Sequence, residues 1–164
     1  MLSEKNKAVF LDRDGVINQE RGEYNYHLED FILNDGLFDA LKIFQQKNYL
    51  LIVISNQGGI AKKLFTKEQT EYLHLHLERA LKNKGITLTE IYYCTHHPDV
   101  SKCICRKPDS LMLEKAMARF NIDASQSYFI GDVDRDIEAG KKAGVQTIKI
   151  EANSSLMNIV NQID

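Results

Sequence analysis

The chain has 164 residues, a formal net charge of -2, 43% hydrophobic and 27% charged residues. That length suits one domain with a buried core, and the balance excludes an intrinsically disordered chain. Nothing in it supplies the broad positive field that nucleic acid or an anionic membrane requires. No apolar run is long enough to span a bilayer or to serve as a signal peptide, so a cytoplasmic location is expected. Along the chain, short β-branched runs alternate with longer amphipathic segments, the pattern of a parallel sheet with crossover helices. Strands are expected at 8–11, 50–55, 91–94, 128–130 and 147–150.

Between them, Leu37, Leu41 and Phe44 form one helical stripe. Leu73, Leu77, Ala80 and Leu81 form a second, opened by a capping-box pattern at Thr66 and Gln69. His74 and His76, set between those apolar positions, read as surface residues. Leu113, Ala116, Met117 and Phe120 form a third stripe. Residues 134–143 read as a fourth helix with Gly144 placed to end it. Leu156, Ile159, Val160 and Ile163 suit a last short amphipathic helix. There is no repeat and no Gly/Ser-rich linker, so residues 1–164 are read as a single doubly wound, Rossmann-like α/β domain. Ligands of such sheets bind beyond the carboxyl ends of the strands, which here are Asp12, Ser55, the segment after Cys94, and Asp132.

Asp12 and Asp14 stand two apart where the first apolar strand stops, with Gly15 free to turn the chain sharply. Asp132 follows the fourth strand, with Asp134 and Asp136 behind it. Bringing Asp12 and Asp132 together concentrates negative charge that a hard cation held by oxygen ligands, magnesium above all, would neutralise. After the second strand, Ser55, Asn56 and the glycines 58 and 59 offer a hydroxyl and backbone N–H groups for phosphate oxygens. Lys107 supplies a positive point charge for a transferring phosphoryl group. Taken singly, an aspartate pair is more often a turn or helix cap and a lysine a solvated surface residue. The ordered set of four at strand ends outweighs those readings.

That set resembles the haloacid dehalogenase-like phosphohydrolases: D-x-D after strand one, Ser after strand two, a Lys, then G-D-x-x-x-D after strand four. The match runs from Val9 to Ile150. The resemblance implies that Asp12 is a nucleophile forming an aspartyl-phosphate, and that Asp14 is the general acid and base. It implies magnesium held by Asp12, the backbone carbonyl of Asp14, and Asp132. Ser55, Asn56, Arg106 and Lys107 would bind phosphate, with Asp136 orienting Lys107 or the metal shell.

The chain's three cysteines fall within twelve residues, in the pattern C-x-H-x6-C-x-C from Cys94 to Cys105. Cys94, His96, Cys103 and Cys105 complete a tetrahedral zinc shell with no open position, which makes the site structural. His97, adjacent to His96, is the alternative imidazole. Three free buried cysteines would be the bland reading, and their clustering beside two histidines argues against it.

A zinc loop over 94–105 that runs into Arg106-Lys107-Pro108 resembles the subgroup of heptose bisphosphate phosphatases and histidinol-phosphate phosphatases. By that resemblance the loop sets Arg106 and Lys107 over the active site. The runs at 10–18 and 55–61 look like the heptose branch, whereas Lys62-Lys63 and Val133 depart from its common residues. Only 40 residues separate Asp14 from Ser55 and 51 separate Ser55 from Lys107, too few for an inserted cap domain. Substrate selection then falls to the loops, which carry Arg21, His27, Lys62, Lys63 and Arg106. A basic rim of this kind suits a second phosphate.

The expected partner is therefore a small phosphorylated sugar handled by a monomer: the C7 phosphate of D-glycero-D-manno-heptose 1,7-bisphosphate, with histidinol phosphate as the alternative. A phosphoacceptor signalling domain or a zinc-organised interaction module explains fewer of these residues, and a polynucleotide end does not suit the acidic balance.

Overall fold

The computed structural model describes residues 4–164. Five strands, β1 (Lys7–Leu11), β2 (Tyr49–Asn56), β3 (Glu90–Cys94), β4 (Tyr128–Gly131) and β5 (Gln146–Lys149), form one sheet. All neighbours pair in parallel, in the order β3-β2-β1-β4-β5. The sheet expected from the sequence is present, with no strand end displaced by more than one residue.

Alternation along β1 explains the layering. Val9 and Leu11 join the core beneath α1 (Leu37–Gln46), α2 (Lys67–Asn83) and the C-terminal segment. Ala8 and Phe10 join the core beneath α3 (Leu111–Arg119) and α4 (Asp134–Ala143). Each face is thus covered by helices, as a sheet buried on both sides requires. The capping box forms as expected: Gln69 N donates to Thr66 Oγ1 at 3.2 Å and Thr66 N to Gln69 Oε1 at 2.8 Å. Gly144 ends α4 in the left-handed region, at φ 80°.

Two expectations are corrected. The C-terminal apolar residues do not form one helix but two 3-10 turns, Leu156–Asn158 and Val160–Gln162. The segment is too short to propagate an α-helix alone, and near-threefold spacing still buries Leu156, Ile159, Val160 and Ile163. His74 is not a surface residue; it is buried, whereas His76 is exposed. Among the described residues no helix is long and apolar enough to cross a membrane.

The chain leaves β1 toward β2 on one side, while β4 pairs on the other. The topological switch point therefore lies between β1 and β4, and a crevice opens beyond their carboxyl ends. Asp12 N donates to Ile130 O at 3.0 Å, which carries the β1–β4 ladder up to that crevice.

Candidate active site and metal centre

Asp12 and Asp132 each stand one residue beyond their strands and so face each other across the switch point. Gly15, at φ +89°, makes the approach possible, because a Cβ there would lie 2.4 Å from Asp132 Oδ2. The carboxylates of Asp12, Asp132 and Asp136 each place one oxygen within 4.8 Å of the others. Burial, offset only in part by Lys107, pushes Asp12 up to about 7. Burial and the Asp136 charge also raise Asp132. Asp132 Oδ1 is buried with no hydrogen-bond partner among the described residues. An unpartnered buried oxygen beside a second carboxylate under electrostatic pressure is what a hard dication relieves, so the donor set fits magnesium.

Lys107 closes the cluster from the other side. Its Nζ lies 2.7 Å from Asp12 Oδ1, 2.7 Å from Asp136 Oδ1 and 2.8 Å from Ile54 O. Burial disfavours the ammonium, but Asp12 and Asp136 outweigh it and hold Lys107 above the usual lysine range. Asn56 sets the backbone of Lys107: Asn56 Nδ2 donates to Lys107 O and Lys107 N to Asn56 Oδ1, both at 3.0 Å. The Asn56 side chain is thus engaged in holding Lys107. Ser55 is fully buried and accepts from Gln57 Nε2 at 2.8 Å.

Asp14 sits in a cage of donors. Its Oδ1 accepts from Asn18 Nδ2 at 2.9 Å, Asn25 Nδ2 at 3.0 Å and Arg13 Nη2 at 3.0 Å. Its Oδ2 accepts from Arg13 Nη2 and Gln57 Nε2, both at 3.1 Å. Burial pushes its carboxyl up, but the Arg13 guanidinium and the amides outweigh that and hold it below the usual carboxylate range. Asp14 therefore rests ionised, the form that accepts a proton. Arg13, Asn18, Asn25 and Gln57 were not singled out by sequence. The D-x-D pattern is blind to its middle residue, and Asn25 lies in a loop without periodicity.

These groups line a pocket of about 200 Å³ formed by Asp12, Asp14, Asn25, Asn56, Lys107 and Asp132, together with Glu20 and Val133 and the exposed Glu23, Tyr24 and Arg135. The expected basic rim is not what lines it. Arg21 pairs with Asp30 at 2.5 Å and Lys62 with Asp99 at 3.2 Å, while Lys63 and His27 stay off the wall. Arg106 also stays off it: Nη1 donates to His96 O at 3.1 Å, and the side chain borders an adjoining cavity of about 390 Å³. The loop of Tyr24 and Tyr26 is tied to the one carrying Phe65 by rings, Tyr26 stacking on Phe65 at 5.3 Å and Tyr24 tilting against it at 5.6 Å.

Beyond β3, Cys94, His96, Cys103 and Cys105 converge. Cys94 Sγ lies 3.7 Å from Cys103 Sγ and 3.0 Å from Cys105 Sγ; His96 Nδ1 lies 3.5 Å from Cys94 Sγ and 3.4 Å from Cys105 Sγ. The edges of a tetrahedron around zinc are about 3.5–3.8 Å; three of these separations lie close to that range, the Cys94–Cys105 pair is tighter, and three soft sulfurs with one imidazole are the donor set that ion takes. His97 is turned away, its Nδ1 accepting from Asp99 N at 3.2 Å. The loop is anchored to the catalytic side by Gln57 N donating to Cys94 O at 2.7 Å and Ala61 N to Thr95 O at 3.1 Å.

The chain is 42% identical over 147 residues to the D-glycero-beta-D-manno-heptose-1,7-bisphosphate 7-phosphatase of Haemophilus ducreyi, covering 86% of this chain and 80% of that protein. The chain belongs to the haloacid dehalogenase-like hydrolases. The family profile described as HAD-hydrolase-like matches residues 104–155. A second relative within this family is the D-glycero-alpha-D-manno-heptose-1,7-bisphosphate 7-phosphatase of Campylobacter jejuni, 40% identical and covering 88% of this chain and 81% of its own. Among solved structures, D,D-heptose 1,7-bisphosphate phosphatase from B. bronchiseptica, complexed with magnesium and phosphate, superimposes with a TM-score of 0.81. It is 31% identical, over 86% of this chain and 78% of that one. The haloacid dehalogenase-like fold is thus shared along nearly the whole chain.

Proposed function

We propose that the chain is a magnesium-dependent phosphatase that hydrolyses the C7 phosphate of D-glycero-D-manno-heptose 1,7-bisphosphate. The observation that carries this is Asp12 facing Asp132 across the switch point, beside buried Lys107, in a chain 42% identical to a protein named for that reaction.

Asp12, Asp132 and the backbone carbonyl of Asp14 would hold magnesium, which would neutralise charge on the phosphoryl oxygens. Lys107 adds the second positive charge and keeps Asp12 Oδ1 aimed. An Asp12 oxygen attacks phosphorus, and the bond from phosphorus to the sugar oxygen breaks. The departing oxygen takes a proton from Asp14, which must first acquire one and loosen its donor cage. Asp14, now a carboxylate again, takes a proton from water. That water attacks phosphorus, the acyl oxygen–phosphorus bond breaks, and Asp12 and inorganic phosphate are released. Cys94, His96, Cys103 and Cys105 would hold a structural zinc that stiffens the loop delivering Lys107.

Arg135, an exposed lining residue with no ion pair among the described residues, suits the substrate's second phosphate. Glu20 and Glu23, on the same wall, suit an ammonium group and support histidinol phosphate as the second reading. Phosphate release with magnesium present, compared for both heptose bisphosphate anomers and histidinol phosphate, tests the choice. A preference for either heptose anomer is expected; a preference for histidinol phosphate contradicts the first reading.

A further inference from the structure

Arg13 is fully buried, and its contact with Asp14 is only one of those it makes. Its Nη2 donates to both oxygens of Asp14, at 3.0 and 3.1 Å, and to Asn25 O at 3.0 Å. Its Nη1 lies 3.3 Å from Nε2 of His74. His74 comes from α2, on the far side of Arg13 from the pocket, and is 6% exposed. Its ring packs edge-on against Tyr93, with centroids 5.0 Å apart at 74°. Burial and the neighbouring guanidinium push His74 down to about 3. The ring is therefore neutral at any working pH, and Nε2 is free to accept from Nη1.

A guanidinium is a planar fork, so fixing one arm fixes the other. Arg13 Nε already lacks a hydrogen-bond partner among the described residues. Removing the acceptor on Nη1 as well would leave two donors of a buried cation unsatisfied. The fork would then swing toward another acceptor and carry Nη2 away from Asp14.

We propose that His74 is a positioning residue for proton transfer: by accepting from Arg13 it fixes the guanidinium that fixes the Asp14 carboxylate in the pocket wall. This rests on the assignment of Asp14 as acid and base. It adds a residue from a helix outside the pocket to the groups that govern the reaction.

The leaving group supplies the test. A sugar alkoxide needs a proton as it departs, whereas p-nitrophenolate departs without one. In both cases kcat/KM reports the steps through aspartyl-phosphate formation. Wild-type turnover of heptose bisphosphate and of p-nitrophenyl phosphate checks the phosphatase reading itself. His74→Leu, of similar size but without an acceptor, is expected to lower kcat/KM for the sugar phosphate about 10- to 100-fold. For p-nitrophenyl phosphate it is expected to stay within roughly threefold, because that reaction does not draw on a general acid. His74→Gln, whose carbonyl can accept from Arg13, should recover most of the sugar-phosphate rate. If the Leu variant does not fold, His74→Met takes its place: it is unbranched, offers Arg13 no strong acceptor, and must show the same selective loss. Equal losses on the two substrates, or no loss on either, would overturn the proposal.

Discussion

Lys107 Nζ lies 2.7 Å from Asp12 Oδ1 at 1% side-chain exposure, so the expected nucleophile and the expected phosphate-binding cation form one buried ion pair. The same ammonium is 2.7 Å from Asp136 Oδ1. Without it, two buried carboxylates would face each other uncompensated. Lys107→Met is therefore expected to destabilise the metal-free protein by about 3–5 kcal/mol. Magnesium should restore part of that loss. Urea unfolding with and without magnesium measures both; a variant as stable as wild type in the absence of metal would contradict the pairing.

Asn56 acts on the same lysine through its backbone. Asn56→Ala removes both hydrogen bonds to Lys107 and leaves its N–H and C=O to find new partners. A cost of about 1–3 kcal/mol is expected. The fall in kcat should exceed the rise in KM, since the lysine would be less well placed at the moment of transfer. Steady-state kinetics on the purified variant checks the split.

His74 predicts a pH dependence of stability. Its folded value is pushed down to about 3, against about 6.5 for an exposed histidine. The unfolded chain thus binds the extra proton first. Stability contributed by the neutral ring is intact above about pH 6.5 and is lost as pH falls toward 3, with a slope of up to about 1.4 kcal/mol per pH unit. His74→Gln should flatten this acid limb. An unchanged slope in the variant would show that His74 takes up its proton in the folded state.

The cysteine cluster predicts metal content. Protein purified without chelator is expected to carry roughly one zinc per chain, and Cys105→Ser to carry little. Because Gln57 and Ala61 hydrogen-bond to this loop, the variant should lose catalytic rate along with thermal stability. Elemental analysis beside a melting curve tests this. Zinc-free wild type with full activity and unchanged melting would contradict a structural zinc.

What the sequence made legible is what local patterns encode. Buried parallel strands read as short apolar runs, so the positions of Asp12 and Asp132 at strand ends could be inferred before any coordinates. The convergence of Cys94, His96, Cys103 and Cys105 was legible because metal-ligand types recur at characteristic spacing. Arg13 was not, because whether a charge between two aspartates turns inward depends on an acceptor 61 residues away. His74 was misread by residue type rather than by period. The buried stripe of α2 runs through Thr70, Leu73, His74, Leu77 and Leu81, so its position belonged to the core although its chemistry suggested water. The loop cations show a different limit: pairings such as Lys62 with Asp99 join loops whose proximity only the fold determines.

The central claim, a covalent intermediate on Asp12, is tested most directly by quenching the protein during turnover and reducing it with borohydride, which converts an aspartyl-phosphate to homoserine. Peptide mass spectrometry is expected to find homoserine at position 12 alone, dependent on magnesium and absent from Asp12→Asn. Phosphate release with no modification at Asp12, or with modification at another aspartate, would contradict the account.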